Sequence, residues 1–320
     1  MNFNNNVDDS HSTHSSEEDK RNLEIKIYVN GEILHRKEAK ISVYDSGFML
    51  GDGMWEGMRL VQGIWIFFEE HMDRLFSSCH AVGIDIGLDR DGILKVLNDT
   101  ANANNITTDA HCRLMVTRGI KDKPFQHPNL SNSGPSLVII IEHSKPDMNL
   151  KSEGISLATV PQIRGLPMSQ DPKYNSHSKL NCVLACLQAE QAGAQEGLML
   201  DPNGFINTTN ACNFFIVLDN EVWTSTGDYC MKGITRQKII DICYKNSNYI
   251  AVASRVKRRE NIIFKILYKS HLILTFLFQL KDQTTDSKTF FLIRHFFLEL
   301  HSHILPLNYF AAKQCRTKNH

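Results

Sequence analysis

The sequence predicts an α/β (α+β) protein with two domains. The chain has 320 residues, 42% of them apolar, which is enough for two hydrophobic cores of ordinary size. Residues 23–145 contain strand patterns around two helix patterns, and residues 155–250 continue with a strand, a helix, several strands and another helix. We therefore expect a small N-terminal domain and a second domain, joined by a linker at residues 146–154.

The first domain begins with a hairpin. IKIYVNGEIL alternates apolar and polar residues around Asn30-Gly31, which is a strong hairpin signal. The text from AKISV to IWIFF predicts strands and glycine-rich turns. FEEHMDRLFSSCHAVGI places Met72, Leu75 and Cys79 on one helix face, and DGILKVLNDTANANN predicts a second helix. HCRLMVTRG and SLVIIIEH are predicted strands, the latter central and buried.

The second domain is punctuated by turn residues. ISLATV predicts a strand, and LNCVLACLQAEQAGA predicts a helix that ends at Gly193. EGLMLDPNGFINTTNACNFFIVLDNEVWT predicts strands separated by a turn at Pro202-Asn203-Gly204. GITRQKIIDICYKN begins a further helix directly after its glycine.

The two ends of the chain differ from the rest. Residues 1–22 are polar and contain no apolar core region, so we expect a disordered tail and no secretory signal. Residues 251–320 contain no glycine, and we expect a divergent segment that adds little to the core. Residues 262–280 are apolar, but Lys265 and Lys269 lie inside them, and each charge costs about 2.5–3.5 kcal/mol at a bilayer centre. We therefore expect no spanning helix.

Composition limits the partners. The chain has 35 basic and 35 acidic residues, which gives no reason to expect a nucleic-acid partner. Its eight cysteines are scattered without a CxxC pair, which is typical of reduced thiols in a cytoplasmic protein and predicts no metal site.

Two segments are suited to binding an anion. GITR, at residues 233–236, opens a helix whose free backbone N–H groups and Thr235 hydroxyl can bind a phosphate. EHMDRL supplies Arg74 from the other domain. Alone, each has an ordinary structural explanation, but together they suggest a phosphate held between the domains.

Several separated segments resemble the class IV, fold-type-IV pyridoxal-phosphate enzymes. This family includes branched-chain and D-amino-acid aminotransferases and aminodeoxychorismate lyase. The resemblance covers roughly residues 25–245, and it rests on VNGEIL, ISVYDSGFMLGDGMWEGMRLVQG, FFEEHMDRLFSSC, LNCVLACLQAEQAGAQEGLMLDPNGF, NACNFFIV and GITRQKIIDIC, in the family's order. It implies two α/β domains with pyridoxal 5′-phosphate between them, and a homodimer.

The resemblance also implies roles for particular residues. The cofactor would be held by Arg74, Thr208, Asn213, Ile234 and Thr235, and Arg59 would line the substrate side. Apart from the resemblance, Arg113, Arg118 and Lys123 are candidates for contacts with the substrate carboxylate, and each also has an ordinary structural explanation. A lysine would form the covalent link to the cofactor and move the proton of the amino acid.

Three positions depart from the family pattern. The lysine is expected ten residues before Ala185, where this chain has Asn175. The acid expected to pair with the pyridine nitrogen is replaced by Thr208, and the tail contains no match to the last phosphate-binding loop. We predict that Lys179 is the catalytic lysine, with Lys173 as the alternative.

We accordingly predict a pyridoxal-phosphate-dependent aminotransferase of the branched-chain type, which acts on an amino acid and a 2-oxo acid. D-amino-acid enzymes carry an R-x-H pattern shortly after TRG, where this chain has Lys123 and Phe125, which disfavours that specificity. Two alternatives remain open at this point: an enzyme similar to aminodeoxychorismate lyase, and a member that binds a ligand without catalysis.

Overall fold

The structure is a computed structural model. It describes residues 19–145, 154–218, 221–245, 250–253, 265–267 and 277–278. The expected N-terminal tail (nearly all of it), the linker and most of the C-terminal segment lie outside the described residues, so those predictions stay predictions.

The first part of the chain forms a six-stranded antiparallel sheet. Its strands are β1 (Lys26–Val29), β2 (Glu32–His35), β3 (Gly53–Val61), β4 (Ile64–Trp65), β5 (Ala110–Thr117) and β6 (Ser136–His143). They lie in the order β2-β1-β6-β5-β3-β4. The hairpin predicted at Asn30-Gly31 is confirmed, since β1 pairs with β2 on either side of it. The central position predicted for β6 is also confirmed.

Three helices accompany this sheet: α1 (Ser46–Leu50), α2 (Phe68–Ala81) and α3 (Arg90–Ala103), with short 3-10 turns at Lys20–Leu23 and Pro128–Leu130. As predicted, α2 buries Met72, Leu75 and Cys79 in the core. The prediction of only strands and turns before β3 is wrong, because α1 forms there. The Asp45 side chain accepts a hydrogen bond from Gly47 N, and Gly51, at φ 69°, ends the helix.

The rest of the chain forms two further sheets. Its elements are β7 (Ile155–Thr159), α4 (Leu180–Gln191), β8 (Glu196–Leu200), β9 (Ile206–Thr209), β10 (Phe215–Leu218), β11 (Glu221–Thr224), α5 (Ile234–Lys245), β12 (Ile250–Ala253), β13 (Lys265–Leu267) and β14 (Leu277–Phe278). One sheet has the order β14-β13-β7-β8-β9 and the other β10-β11-β12. Helix α4 connects the parallel strands β7 and β8, as a crossover helix should.

Part of the C-terminal segment joins these sheets. In the segment for which we predicted a divergent sequence that adds little to the core, β12 pairs with β11 and β13 pairs with β7. Such pairing uses backbone groups, so a strand can extend a sheet edge with many kinds of side chain. In the portions of the chain that are described, no helix is both long and apolar enough to cross a membrane.

A loop before α4 is bound to the start of β3. The backbone N–H of Trp55 donates to Asn175 O over 3.0 Å, and that of His177 donates to Gly53 O over 2.9 Å. This pairing fixes the segment between residues 175 and 179 against the first sheet.

Candidate functional site

One cavity collects most of the predicted site residues. Its lining is Trp55, Gly57, Arg59, Ile66, Phe67, His71, Arg74, His111, Arg164, Asn175, Ala211, Cys212, Asn213, Met231, Gly233, Ile234, Thr235 and Arg236. Five predicted residues are among them: Arg59, Arg74, Asn213, Ile234 and Thr235. Three predicted residues, Lys179, Thr208 and Arg113, are not.

The start of α5 forms one end of the cavity. Its first residues, Ile234 and Thr235, present backbone N–H groups that have no partner in the preceding helical turn. Asn213 supports the loop before them, because its Nδ2 donates to Met231 O over 2.9 Å. Gly233 is required there, since a Cβ at this position would overlap Asn213 Oδ1. The sequence therefore builds a helix start that is open to an anion.

Arg74 reaches the same cavity from α2, and a buried carboxylate holds it. Its Nε and Nη2 donate to Glu56 over 2.8 and 2.6 Å, and His71 Nδ1 lies 2.7 Å from the same carboxylate. Glu56 is 1% exposed. Burial raises the pKa of Glu56, but the hydrogen bonds from Arg74 and His71 outweigh it and hold that pKa below its usual value. The bidentate pair fixes the guanidinium at the cavity wall.

The cavity wall is strongly cationic. Four arginines line it, Arg59, Arg74, Arg164 and Arg236, whereas no carboxylate is found among its described lining residues. Arg236 is 4% exposed and donates through Nη2 to Ser225 O over 2.7 Å. Burial lowers the pKa of this guanidinium, but arginine side chains keep their charge in proteins. A ligand with more than one anionic group fits this charge distribution.

Asn175 occupies the position at which the family pattern has a lysine. It is 3% exposed and lines the cavity. Its Nδ2 donates to Trp55 O over 2.7 Å, while its Oδ1 has no partner. The amide is therefore held in place by β3. No lysine is among the described residues that line the cavity.

Lys179 lies just behind this wall, at the N-terminus of α4. Its Nζ is 5.9 Å from the centroid of the Trp55 ring, which lines the cavity. Burial, with a smaller contribution from the charge of Arg164, lowers the pKa of Lys179 to about 8. A neutral amine is the nucleophilic form, and a pKa of about 8 gives this lysine a larger neutral fraction near neutral pH than an ordinary lysine has.

Arg164 is a site residue that the sequence did not reveal. Its Nε donates to Thr208 Oγ1 over 3.0 Å, and its Nη1 lies 2.7 Å from Cys182 Sγ. Thr208 is 1% exposed and lies beneath the arginine, which itself lines the cavity. A single arginine in the loop PQIRGLPMSQ carries no pattern, so only the tertiary structure places it here.

A family profile confirms the resemblance. The family described as "Amino-transferase class IV" matches residues 53–256. The chain belongs to the class IV aminotransferase family. The matched region contains every predicted site residue, from Arg59 on β3 to Thr235 on α5.

Individual relatives have names that refer to branched-chain aminotransferases. The chain is 34% identical over 239 residues to the branched-chain-amino-acid aminotransferase-like protein 1 of Arabidopsis thaliana, a match that covers 75% of this chain and 43% of the relative. It is 36% identical over 220 residues to a putative branched-chain-amino-acid aminotransferase of Methanocaldococcus jannaschii, where the match covers 68% and 74%. The chain thus spans less than half the length of the Arabidopsis relative.

Solved structures confirm the predicted fold. A branched-chain aminotransferase from Thermoproteus uzoniensis, crystallised with norvaline, matches with a TM-score of 0.69 at 22% identity, over 82% of this chain and 90% of that one. A branched-chain amino acid aminotransferase from Thermobaculum terrenum, crystallised in its PLP form, matches with a TM-score of 0.66 at 18% identity, over 80% and 85%.

Two further residues that the sequence suggested for the site of this family member, Arg113 and Lys173, lie outside the cavity. The guanidinium of Arg113 stacks on the Trp55 ring at 4.0 Å from its centroid. Lys173 is exposed and lines a neighbouring groove together with Arg74 and Ile234. Sequence spacing gave no reason to exclude either residue from the site. Their positions outside the cavity follow from side-chain packing.

Proposed function

We propose that this chain binds pyridoxal 5′-phosphate and acts as an aminotransferase of the branched-chain type, transferring an amino group between an amino acid and a 2-oxo acid. The observation that carries the proposal is that Arg74 and the start of α5 line the same cavity. The N–H groups of Arg74 that do not bind Glu56, together with free helix N–H groups, are suited to the oxygens of a phosphate. Family membership supports the same cofactor.

The residues present fit the phosphate end of this cofactor. Arg74, Ile234 and Thr235 would bind the phosphate, and Asn213 would keep the helix start open through its bond to Met231 O. When bound, the cofactor supplies an electron-accepting ring that makes the α-hydrogen of an amino acid acidic. Asn175 cannot form a covalent link, but its unpartnered Oδ1 can accept a hydrogen bond from the ligand.

We propose Lys179 as the lysine that forms the link and moves the proton. Its lowered pKa makes the neutral amine available, and its position beside the Trp55 ring places it next to the cavity wall. Lys173 is exposed and lines a neighbouring groove instead of this cavity.

The remaining assignments are also proposals. Arg59 is 5% exposed, donates to Ser144 O over 2.5 Å and lines the cavity, which supports a substrate-carboxylate role. We propose that the chain folds as two domains and works as a cytoplasmic homodimer. Val43 and Phe48, which are 68% and 69% exposed, support the dimer because isolated monomers bury most large apolar side chains.

The test is borohydride reduction of the purified chain with pyridoxal 5′-phosphate, followed by peptide mapping. We expect visible absorbance before reduction and a label on Lys179, which Lys179→Met abolishes and the matched control Lys173→Met preserves. Formation of 2-oxo acids from branched-chain amino acids completes the assignment.

Other outcomes would contradict it. A label on Lys173 would refute the choice of lysine. Release of pyruvate from aminodeoxychorismate would favour the lyase. Binding of the cofactor with no labelled lysine would favour a protein that binds without catalysis, and no binding would refute the cofactor itself.

A further inference from the structure

We infer that Arg164 faces the ring nitrogen of the bound cofactor and keeps that nitrogen unprotonated. This inference rests on the proposed function. It concerns the part of the cavity wall formed by Arg164, which is bound to Thr208 at the position where the family pattern has an acid.

The geometry shows which group the ligand meets at this wall. Thr208 is 1% exposed and is not part of the cavity lining. Arg164 donates to its hydroxyl through Nε and lines the cavity itself. A polar atom of the ligand that approaches Thr208 therefore meets the guanidinium first. Arg164 Nη2 has no hydrogen-bond partner within the described part of the chain, so it has N–H groups left for the ligand.

The charges that act on Lys179 are mostly positive, because, in addition to burial, Arg164, Arg74 and Arg113 all lower its pKa. Glu142, on β6, acts on Arg113 with the opposite sign. Lys179 and Arg113 both lie beside the Trp55 ring, with Nζ 5.9 Å and Cζ 4.0 Å from the ring centroid. The buried acid of this region, Glu56, is bound to Arg74 and His71. In the parts of the chain that are described, no carboxylate forms an ion pair with Arg164 or Lys179. Among the described residues, Arg164 also contacts the thiol of Cys182, through Nη1.

A guanidinium and a carboxylate have opposite effects on a ring nitrogen. A nearby carboxylate favours the protonated nitrogen, whereas a nearby cation disfavours it, and Arg164 can only donate a hydrogen bond to a neutral nitrogen. A neutral ring withdraws electrons less strongly. We therefore expect proton removal from the amino acid to be slower here than with an acid at position 208, although binding stays intact.

The experiment uses the full chain with pyridoxal 5′-phosphate labelled with ¹⁵N in the ring. We expect the ¹⁵N chemical shift of an unprotonated nitrogen at pH 7 in the wild-type protein. Thr208→Glu combined with Arg164→Gln should move it to the protonated value, and Arg164→Lys, which keeps the charge, should not. Because the wild-type spectrum needs no variant, misfolding of a variant cannot hide the answer.

A binding measurement adds a second readout. A cofactor analogue with C–H in place of the ring nitrogen cannot accept the hydrogen bond, so we expect it to bind the wild type about tenfold more weakly than the natural cofactor. Arg164→Ala should remove that difference. A protonated nitrogen in the wild type, or equal binding of both compounds, overturns the inference while leaving the proposed function intact. No uptake of either compound overturns both.

Discussion

The two ends of the cavity differ in how their positive charges are balanced. At the phosphate end, Arg74 is paired with the buried carboxylate of Glu56, and Asn213 and Gly233 shape the start of α5. At the other end, Arg164 and Lys179 have no carboxylate partner within the described residues, and Asn175 and Thr208 replace the lysine and acid of the family pattern. Each end therefore depends on its own set of side chains, and under the proposed function one set would anchor the phosphate while the other would tune the chemistry of the ring.

The largest expected effect tests the paired end. Arg74→Ala removes the partner of a buried carboxylate, so we expect a loss of about 3–5 kcal/mol in the free energy of unfolding. Denaturant titration measures it. Arg90→Ala is the matched control, because Arg90 is 41% exposed in its ion pairs with Glu69 and Asp73 and should cost at most about 1 kcal/mol.

The pH dependence of this stability loss tests whether the Glu56 carboxylate causes it. Because the pKa of Glu56 is lowered in the folded protein, its stabilisation is present above the ordinary value of 4.5 and is lost as the pH falls below it. The deficit of Arg74→Ala should therefore shrink in acid. Equal stability losses in Arg74→Ala and Arg90→Ala would show that the buried pair does not anchor this end.

The second prediction concerns the end of the cavity without a carboxylate partner. Here the substitution should stabilise the protein. Burial of an amine without a partner is unfavourable while it is charged, so Lys179→Met should increase the free energy of unfolding at pH 7, by on the order of 2 kcal/mol. The advantage should be full below pH 8, where both folded and unfolded forms are protonated, and fade between pH 8 and 10.5 as the wild-type amine becomes neutral.

Thermal melts at several pH values measure this effect. Lys173→Met, at an exposed lysine, should change stability by no more than about 0.5 kcal/mol. A Lys179→Met protein that is less stable than the wild type would mean that the amine has a favourable partner.

The third prediction concerns the helix start at the phosphate end. Gly233→Ala places a Cβ on Asn213 Oδ1, so we expect about 1–3 kcal/mol of destabilisation and weaker binding of inorganic phosphate. Gly165→Ala is the control, since its Cβ would lie 3.4 Å from Gln170 O, an ordinary contact. Unchanged phosphate binding in Gly233→Ala would separate the helix start from the phosphate site.

The smallest expected effect on stability is at Asn175. Asn175→Ala removes the hydrogen bond to Trp55 O, at a cost of about 1 kcal/mol. Asn175→Lys removes the same bond and also puts an amine into the cavity. With pyridoxal 5′-phosphate and borohydride, we expect the label to appear at position 175. Asn175→Ala loses the same hydrogen bond but adds no amine, so it serves as the control. A label that stays on Lys179 alone would show that position 175 does not face the aldehyde.

Local sequence patterns predicted much of the fold. The hairpin at Asn30-Gly31 and the helices α2, α3, α4 and α5 follow from turn residues and apolar periodicity, which act over a few neighbouring residues. The helix α1 was missed because it is only five residues long and depends on the Asp45 and Gly51 caps rather than on periodicity. The joining of β13 to β7 was missed because strand pairing is a long-range interaction.

For the site, local sequence features were enough to propose an anion site, since a glycine followed by a helix and an arginine on an amphipathic helix can both be recognised over a few residues. They pointed to Arg74 and Thr235, and the family resemblance added Ile234. The contacts that decide which cations have a carboxylate partner could be read only from the tertiary structure. The pairing of Arg74 with Glu56, the position of Arg164 over Thr208 and the burial of Lys179 behind Trp55 join residues 18, 44 and 124 positions apart. No sequence spacing encodes such contacts, because their energies depend on burial and on the charges that folding brings together.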